Sequence, residues 1–260
     1  MTALPEAGAD DVLYLVDMYC WVYRFYATVG GRAAHGVLDF IARVLHEQRP
    51  AYLAVCRDLP HRTWRADLYP KRASGEGYKA HRKAPDATLL ERLRWTHEML
   101  EDVHGARVIG VPGWEADDVI ATWARIGAER GMRVVVLGFD KDLMQLVSPR
   151  CVLWDGRERL VGEREVLQRF GVSARQLRDY LAIVGDSADN VPGVPGMGPK
   201  AAARVLQRYP TIDDALALPE TRDRDVLRLR AHEDALRLSR CLVTLDAAVP
   251  LRQTLEELRR

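Results

Sequence analysis

Acidic residues follow the apolar runs of this chain at regular intervals. VLYLVD ends on Asp17, YLAVCRD on Asp58, RVIGVPGWEADD on Glu115, Asp117 and Asp118, and RVVVLGFDKD on Asp140 and Asp142, while GDSADNVPGVPGMGPKAA (185–202) adds Asp186 and Asp189. Glu115 and Asp118 stand three apart and share a helix face; Asp140 and Asp142 stand two apart and can point the same way in a turn or an extended segment. Singly, each acid has a plain structural reading. Glu115, Asp117 and Asp118 suit the first turn of a helix, and Asp17 or Asp58 can cap a turn. As a set, nine gathered anions repel one another unless hard cations or shifted protonation relieve them. Oxygen-only ligands suit Mg²⁺ or Mn²⁺ rather than zinc, for which there is no His/Cys cluster. His61, His81, His97, His104 and His232 are scattered and read as surface or packing residues. A two-metal site, with ions roughly 3.5–4 Å apart, would activate water and stabilise the leaving oxygen of a phosphodiester.

The elements that must position these acids are legible as apolar runs. Val12 to Val16, Tyr52 to Cys56, Arg107 to Val111 and Arg133 to Gly138 read as buried strands, separated by helical patterns over Gly36 to Gln48, Ala87 to Val103 and Glu115 to Arg130. That alternation predicts an α/β domain with a mostly parallel sheet and flanking helices. In such sheets the functional crevice lies outside the carboxyl ends of the strands, where the acids fall. Beyond Cys151 to Trp154 the pattern turns helical, through Arg164 to Phe170, Ser173 to Val184, Lys200 to Tyr209 and Arg222 to Leu242. This places a boundary near residue 175, with an α/β domain over 1–175 and a smaller helical one over 176–260. The basic, glycine-containing stretch Tyr69 to Pro85 reads as mobile without nucleic acid.

Composition bounds the rest. At 260 residues and 48% hydrophobic, the chain buries a substantial core. Its 38 Lys+Arg nearly cancel 37 Asp+Glu, so any polyanion must be met by segregated patches rather than by net charge. Cys20, Cys56, Cys151 and Cys241 form no CxxC and read as reduced structural thiols. The acidic MTALPEAGADD is unlike a signal peptide, and no apolar run approaches 18 residues, so a cytoplasmic soluble protein is expected. Trp64, Trp95 and Trp114 suit core packing better than base stacking.

Five stretches in order, LVDMYCWVYR, WR…GYKAHR, VPGWEADDVIA, LGFDKDLMQL and GDSADNVPGVPGMGPKAA, resemble the bacterial 5′→3′ exonuclease, or flap endonuclease, family, which includes the nuclease domain at the front of DNA polymerase I. The resemblance runs from about Val12 to Leu251. It implies a PIN-like core carrying a helical arch around 65–100, and a helix–three-turn–helix subdomain. All nine acids fall on family metal-site positions, implying two or more Mg²⁺ or Mn²⁺ ions. Tyr78, Lys79 and Arg82 match the basic motif at the base of the arch, where cations neutralise charge developing on the scissile phosphate. Arg24 matches a basic position near the DNA. Gly193, Val194, Gly196, Gly198 and Lys200 match the loop that grips duplex DNA without reading bases, and that loop commonly holds K⁺ through its carbonyls. The implied partner is DNA with 5′ ends, flaps or nicks, met by a monomer with no membrane.

The chain departs from the family in three places. Arg57 stands where a Phe usually precedes the second-strand acid, beside an unusual Cys56, and Met18 is unusual too; PKRASGE lengthens the arch segment; and no polymerase follows Arg260, as in a stand-alone nuclease or an excised domain. Two other readings are open: a PIN-type ribonuclease, which shares the acidic core but needs neither arch nor GVPGMGPK, and a non-catalytic protein that binds branched DNA.

Overall fold

The structure is a computed structural model that describes residues 3–29, 33–102 and 105–260. Val103 and His104, at the end of an expected helix and among the scattered histidines, lie outside the described residues. The chain forms two compact units: residues 1–61, 84–162 and 245–260 make the first, and residues 62–83 and 163–244 the second.

The first unit is built on a six-stranded sheet of order β3-β2-β1-β4-β5-β6. Its strands are β1 (Val12–Asp17), β2 (Tyr52–Cys56), β3 (Arg107–Ile109), β4 (Arg133–Leu137), β5 (Cys151–Trp154) and β6 (Leu160–Val161). Every pairing is parallel except the last, β5 with β6. All six residues of β1 are buried, as an unbroken apolar run requires when helices cover both faces. Val12, Tyr14 and Val16 join a core with residues of α1 (Met18–Val29), α2 (Ala33–Gln48) and α4 (Ala87–Asp102). On the other face Leu13 touches α5 (Ala116–Glu129), where a Cβ on Gly127 would sit 3.2 Å from its side chain. Thus the period of two along β1 divides two helical layers.

Helix α1 was not apparent from the sequence, because MYCWVYRFYATV is rich in aromatic and β-branched residues that suit strands. Its tertiary contacts decide otherwise. Asp17 accepts the Cys20 N–H at 3.0 Å, capping the helix, while Trp21 stacks on Phe40 at 4.0 Å and donates to the Leu137 carbonyl at 3.0 Å. The third strand stops at Ile109, two residues short of expectation. Among the described residues, no helix is long and apolar enough to cross a membrane.

The second unit joins α3 (Trp64–Leu68) and the irregular segment after it to α6 (Glu163–Phe170), α7 (Leu177–Val184), α8 (Pro199–Arg208), α9 (Ile212–Leu216), α10 (Arg224–Ala231) and α11 (Glu233–Val243). The single helix expected over Arg222 to Leu242 is two, broken at His232, whose φ of −125° and ψ of 33° are not helical. Arg65 ties α3 to the end of α11: it is 2% exposed and donates to the carbonyls of Leu242 (2.8 Å) and Thr244 (2.7 Å). The expected α/β class, a mostly parallel sheet followed by a helical part, is the class observed.

Candidate active site

In the first unit the parallel register brings the strand ends level. Asp17 pairs with Cys56, Cys56 with Ile109, and Val16 with Leu137, so Asp17, Asp58, Glu115 and Asp140 leave adjacent strands on the same edge. Their charges are mutually felt. Burial raises the Asp17 carboxyl to about 7, and the charges of Asp58 and Asp140 push the same way. Asp117 is driven well above the usual carboxylate range by burial and then by Asp17, Asp140, Asp58 and Glu115. Among the described residues, no lysine or arginine forms an ion pair with Asp17, Asp117 or Asp140. Asp142 donates its N–H to the Asp140 carboxylate at 3.0 Å, fixing the turn after β4. Arg24 lies at this edge, its guanidinium 4.8 Å from the Phe139 ring centroid.

Two acids of the set also brace the backbone. Asp58 accepts the Ala116 N–H at 2.7 Å, holding the start of α5. Asp118 is fully buried, with one oxygen accepting from the Glu115 N–H (3.2 Å) and the other from the Asp246 N–H (2.8 Å). Asp246 in turn accepts the Trp114 indole N–H at 2.8 Å. The sequence holds no signal for Asp246, whose role depends on the return of a segment 128 residues away from Asp118.

The linkage between these acids and stability has a definite sign. Asp17 moves from about 3.9 in an unfolded chain to about 7 in the fold, so the metal-free folded state binds the proton more tightly. Its contribution is fully present below pH 4 and is lost as pH rises through 7; Asp117 acts in the same direction. Protein stripped with EDTA is therefore expected to melt at a lower temperature at pH 8 than at pH 5.5, and millimolar Mg²⁺ should remove that deficit. Scanning calorimetry at the two pH values checks this, and a metal-free melting temperature that rises from pH 5.5 to 8 counts against the acids as a self-repelling set.

In the second unit Asp189 is buried and Asp186 half-buried. Asp186 accepts the Ala188 N–H (2.7 Å), and its backbone bridges Val191, closing the loop that begins at Gly185. Asp189 receives the basic motif: Arg82 forms an ion pair with it, the Lys79 Nζ lies 4.0 Å away, and the Tyr78 hydroxyl donates at 3.4 Å. The motif is not part of a helix, since residues 69–86 between α3 and α4 are turns and coil.

The glycine loop leads into α8. Gly193 donates its N–H to Ser239 Oγ at 2.9 Å, and a Cβ there would lie 2.7 Å from the backbone of Val184 and Gly185, so only glycine fits. Val194 points inward, 3% exposed, with its N–H on the Ile183 carbonyl; it shapes the loop. Gly196, Gly198 and Lys200 are exposed. Helix α8 starts with Gly198 as N-cap and Pro199 next, without a side-chain cap or an acid in its first turn, so the positive end of its dipole lies beside Lys200 with no acid to offset it.

The first unit is an open α/β sheet with carboxylates at its strand ends, and the second is helical with a glycine-rich turn. Residues 12–171 match the family model for the 5′-3′ exonuclease N-terminal resolvase-like domain, and residues 172–260 that for the 5′-3′ exonuclease C-terminal SAM fold. The chain belongs to the 5′-3′ exonuclease family. It is 36% identical over 258 residues to the 5′-3′ exonuclease of Aquifex aeolicus (strain VF5), covering 95% of this chain and 86% of that protein. It is 35% identical over 272 residues to DNA polymerase I of Rhizobium leguminosarum, covering 95% of this chain but 26% of that protein, so it spans about a quarter of that relative. The fold is similar to that of the bacteriophage T5 D15 flap endonuclease, solved as a pseudo-enzyme-product complex with DNA and metal ions: TM-score 0.76, 20% identity, covering 90% of this chain and 89% of that one.

Proposed function

We propose that this chain is a Mg²⁺-dependent 5′ nuclease that hydrolyses DNA at flaps, nicks and free 5′ ends by branch structure rather than sequence. The observation that carries the reading is the acidic strand edge, where burial and neighbouring carboxylates push Asp17 and Asp117 toward protonation. A hard divalent cation fits such a donor set, which offers only carboxylate oxygens. Asp17, Asp117 and Asp140 with Asp58, Glu115 and Asp142 would hold it in the first unit, and the resemblance adds Asp186 and Asp189. Held by these residues, such ions would supply water activation and stabilisation of the leaving oxygen.

The chain's own groups do the remainder. Arg24 places a cation beside the acids, Lys79 and Arg82 neutralise the phosphate, and Tyr78 sits under Lys79, with the Nζ 4.9 Å from its ring centroid. Gly196, Gly198 and Lys200 present amides and charge to duplex phosphates at the start of α8, shaped by Gly193 and Val194. K⁺ in this loop and action as a monomer are carried over from the resemblance, and a cytoplasmic location from the composition of the sequence. The T5 complex with DNA and metal ions supports the reading.

The test is cleavage of a 5′-labelled flap, a nicked duplex and a single-stranded RNA with and without Mg²⁺. Cleavage of the two DNAs in Mg²⁺, abolished by EDTA, is expected. Cleavage of RNA alone would indicate a PIN-type ribonuclease, and tight flap binding without cleavage a branched-DNA clamp. Lys200→Ala should weaken duplex binding equally for all sequences and reduce the salt slope by about one counterion. Binding titrations across a salt series check it; single-stranded DNA should hardly respond.

A further inference from the structure

We infer that Asn190 is a positioning residue for the phosphate-facing cations, reaching across the second unit to hold the backbone that carries Lys79 and Arg82. The inference rests on the reading of those cations given above and adds a residue to it. The Asn190 side-chain amide has two N–H donors, and Nδ2 donates to the carbonyls of both Gly77 (2.8 Å) and Gly75 (3.2 Å). Asn190 itself is in the left-handed region (φ 57°), which asparagine tolerates better than most residues.

The turn it grips has no slack. Gly77 has φ +116°, and a Cβ there would lie 2.4 Å from Lys71 Cα and 2.6 Å from the Pro70 carbonyl oxygen, both backbone atoms. The Tyr78 N–H donates to the Tyr69 carbonyl (2.8 Å) and the Arg72 N–H to the Glu76 carbonyl (2.8 Å), closing the segment on itself. The next residue, Lys79, is also left-handed (φ 53°), a conformation a lysine keeps only where its surroundings impose it. Those surroundings are the residue beside Asn190: the Asp189 carbonyl accepts the Lys79 N–H at 2.8 Å, while its carboxylate takes Arg82. Asp189 and Asn190 therefore fix side chains and backbone of one basic turn from a single loop, more than 100 residues away in sequence. Asn190 touches no reacting atom in this scheme; it acts through the placement of Lys79 and Arg82.

Two variants keep the left-handed backbone available. Asn190→Asp retains shape but loses both donors and sets a charge against two carbonyls; Asn190→Gly removes the amide without steric strain at positive φ. Both are expected to slow single-turnover cleavage of a saturating flap substrate by about 10- to 100-fold, since small misplacement of a catalytic group is costly. Flap affinity in Ca²⁺ should stay within about threefold, because the loop at Lys200 still grips the duplex. Trypsin should cut after Lys79 or Arg82 faster than in the wild type. The deciding measurement is the double-mutant cycle: in a Lys79→Ala/Arg82→Ala background, Asn190→Gly should cause no further slowing. Wild-type rates for both variants, or a full Asn190→Gly effect persisting in that background, would overturn the inference. If Lys79→Ala/Arg82→Ala itself cleaves at the wild-type rate, the failure lies in the reading of the cations instead.

Discussion

Asp117→Asn is expected to lower cleavage in Mg²⁺ by about 10²- to 10⁴-fold, the several kcal/mol that a metal ion contributes to a transition state, while raising the melting temperature of the metal-free protein. The two effects come from one charge. Asp117 lies among Asp17, Asp140, Asp58 and Glu115, all of which push its carboxyl toward protonation. Removing it relieves repulsion in the metal-free fold and takes a donor from the cation. The thermal shift produced by Mg²⁺ should shrink for the same reason. Asp118→Asn, one residue on, should behave differently. Both Asp118 oxygens accept backbone N–H groups while it is fully buried, so an amide NH₂ would face a donor and lower stability with or without metal. Melting curves in EDTA and in Mg²⁺, beside single-turnover rates, separate the pair. An Asp117→Asn protein with an undiminished Mg²⁺ shift would remove Asp117 from the ligand set.

That contrast marks how far the sequence can be read. Unbroken apolar runs ending in acids identify parallel strands and the edge they share, because a strand buried on both faces leaves a strong local signature. What an individual acid does at that edge is not local. Asp58 and Asp118 brace α5 and Asp246 because of where distant backbone N–H groups arrive. Asn190 is likewise mute in sequence, its partners Gly75 and Gly77 being set by the fold. Helix α1 misleads in the opposite sense: its aromatic and β-branched residues favour a strand locally, and burial of Trp21 against Phe40 overrides that preference. The joining of residues 62–83 to 163–244 in one unit is a tertiary fact with no compositional trace.

Lys79→Ala should slow single-turnover cleavage by about 10²- to 10³-fold, as expected for loss of one preorganised group facing developing charge, with flap affinity in Ca²⁺ changed by less than about threefold. The side chain is placed for that role rather than for bulk binding. The side chain is 25% exposed, and its Nζ lies 4.9 Å from the Tyr78 ring centroid and 4.0 Å from Asp189, so it is oriented before any phosphate arrives. Arg82 and Tyr78 still reach Asp189 in the variant, which keeps that buried carboxylate partnered and the fold intact. Lys79→Gly separates charge from backbone. At φ 53° an L-residue carries a cost of about 1–2 kcal/mol that glycine escapes. Lys79→Gly should therefore be as slow as Lys79→Ala but more stable, by about 2–4 °C per kcal/mol. Equal melting temperatures would mean that the left-handed turn is unstrained. A wild-type cleavage rate in both would show that the cation meeting the phosphate is Arg82 alone or a group elsewhere. Slow cleavage in both, with the higher melting temperature in Lys79→Gly, assigns the rate to the ammonium and the strain to the turn that holds it.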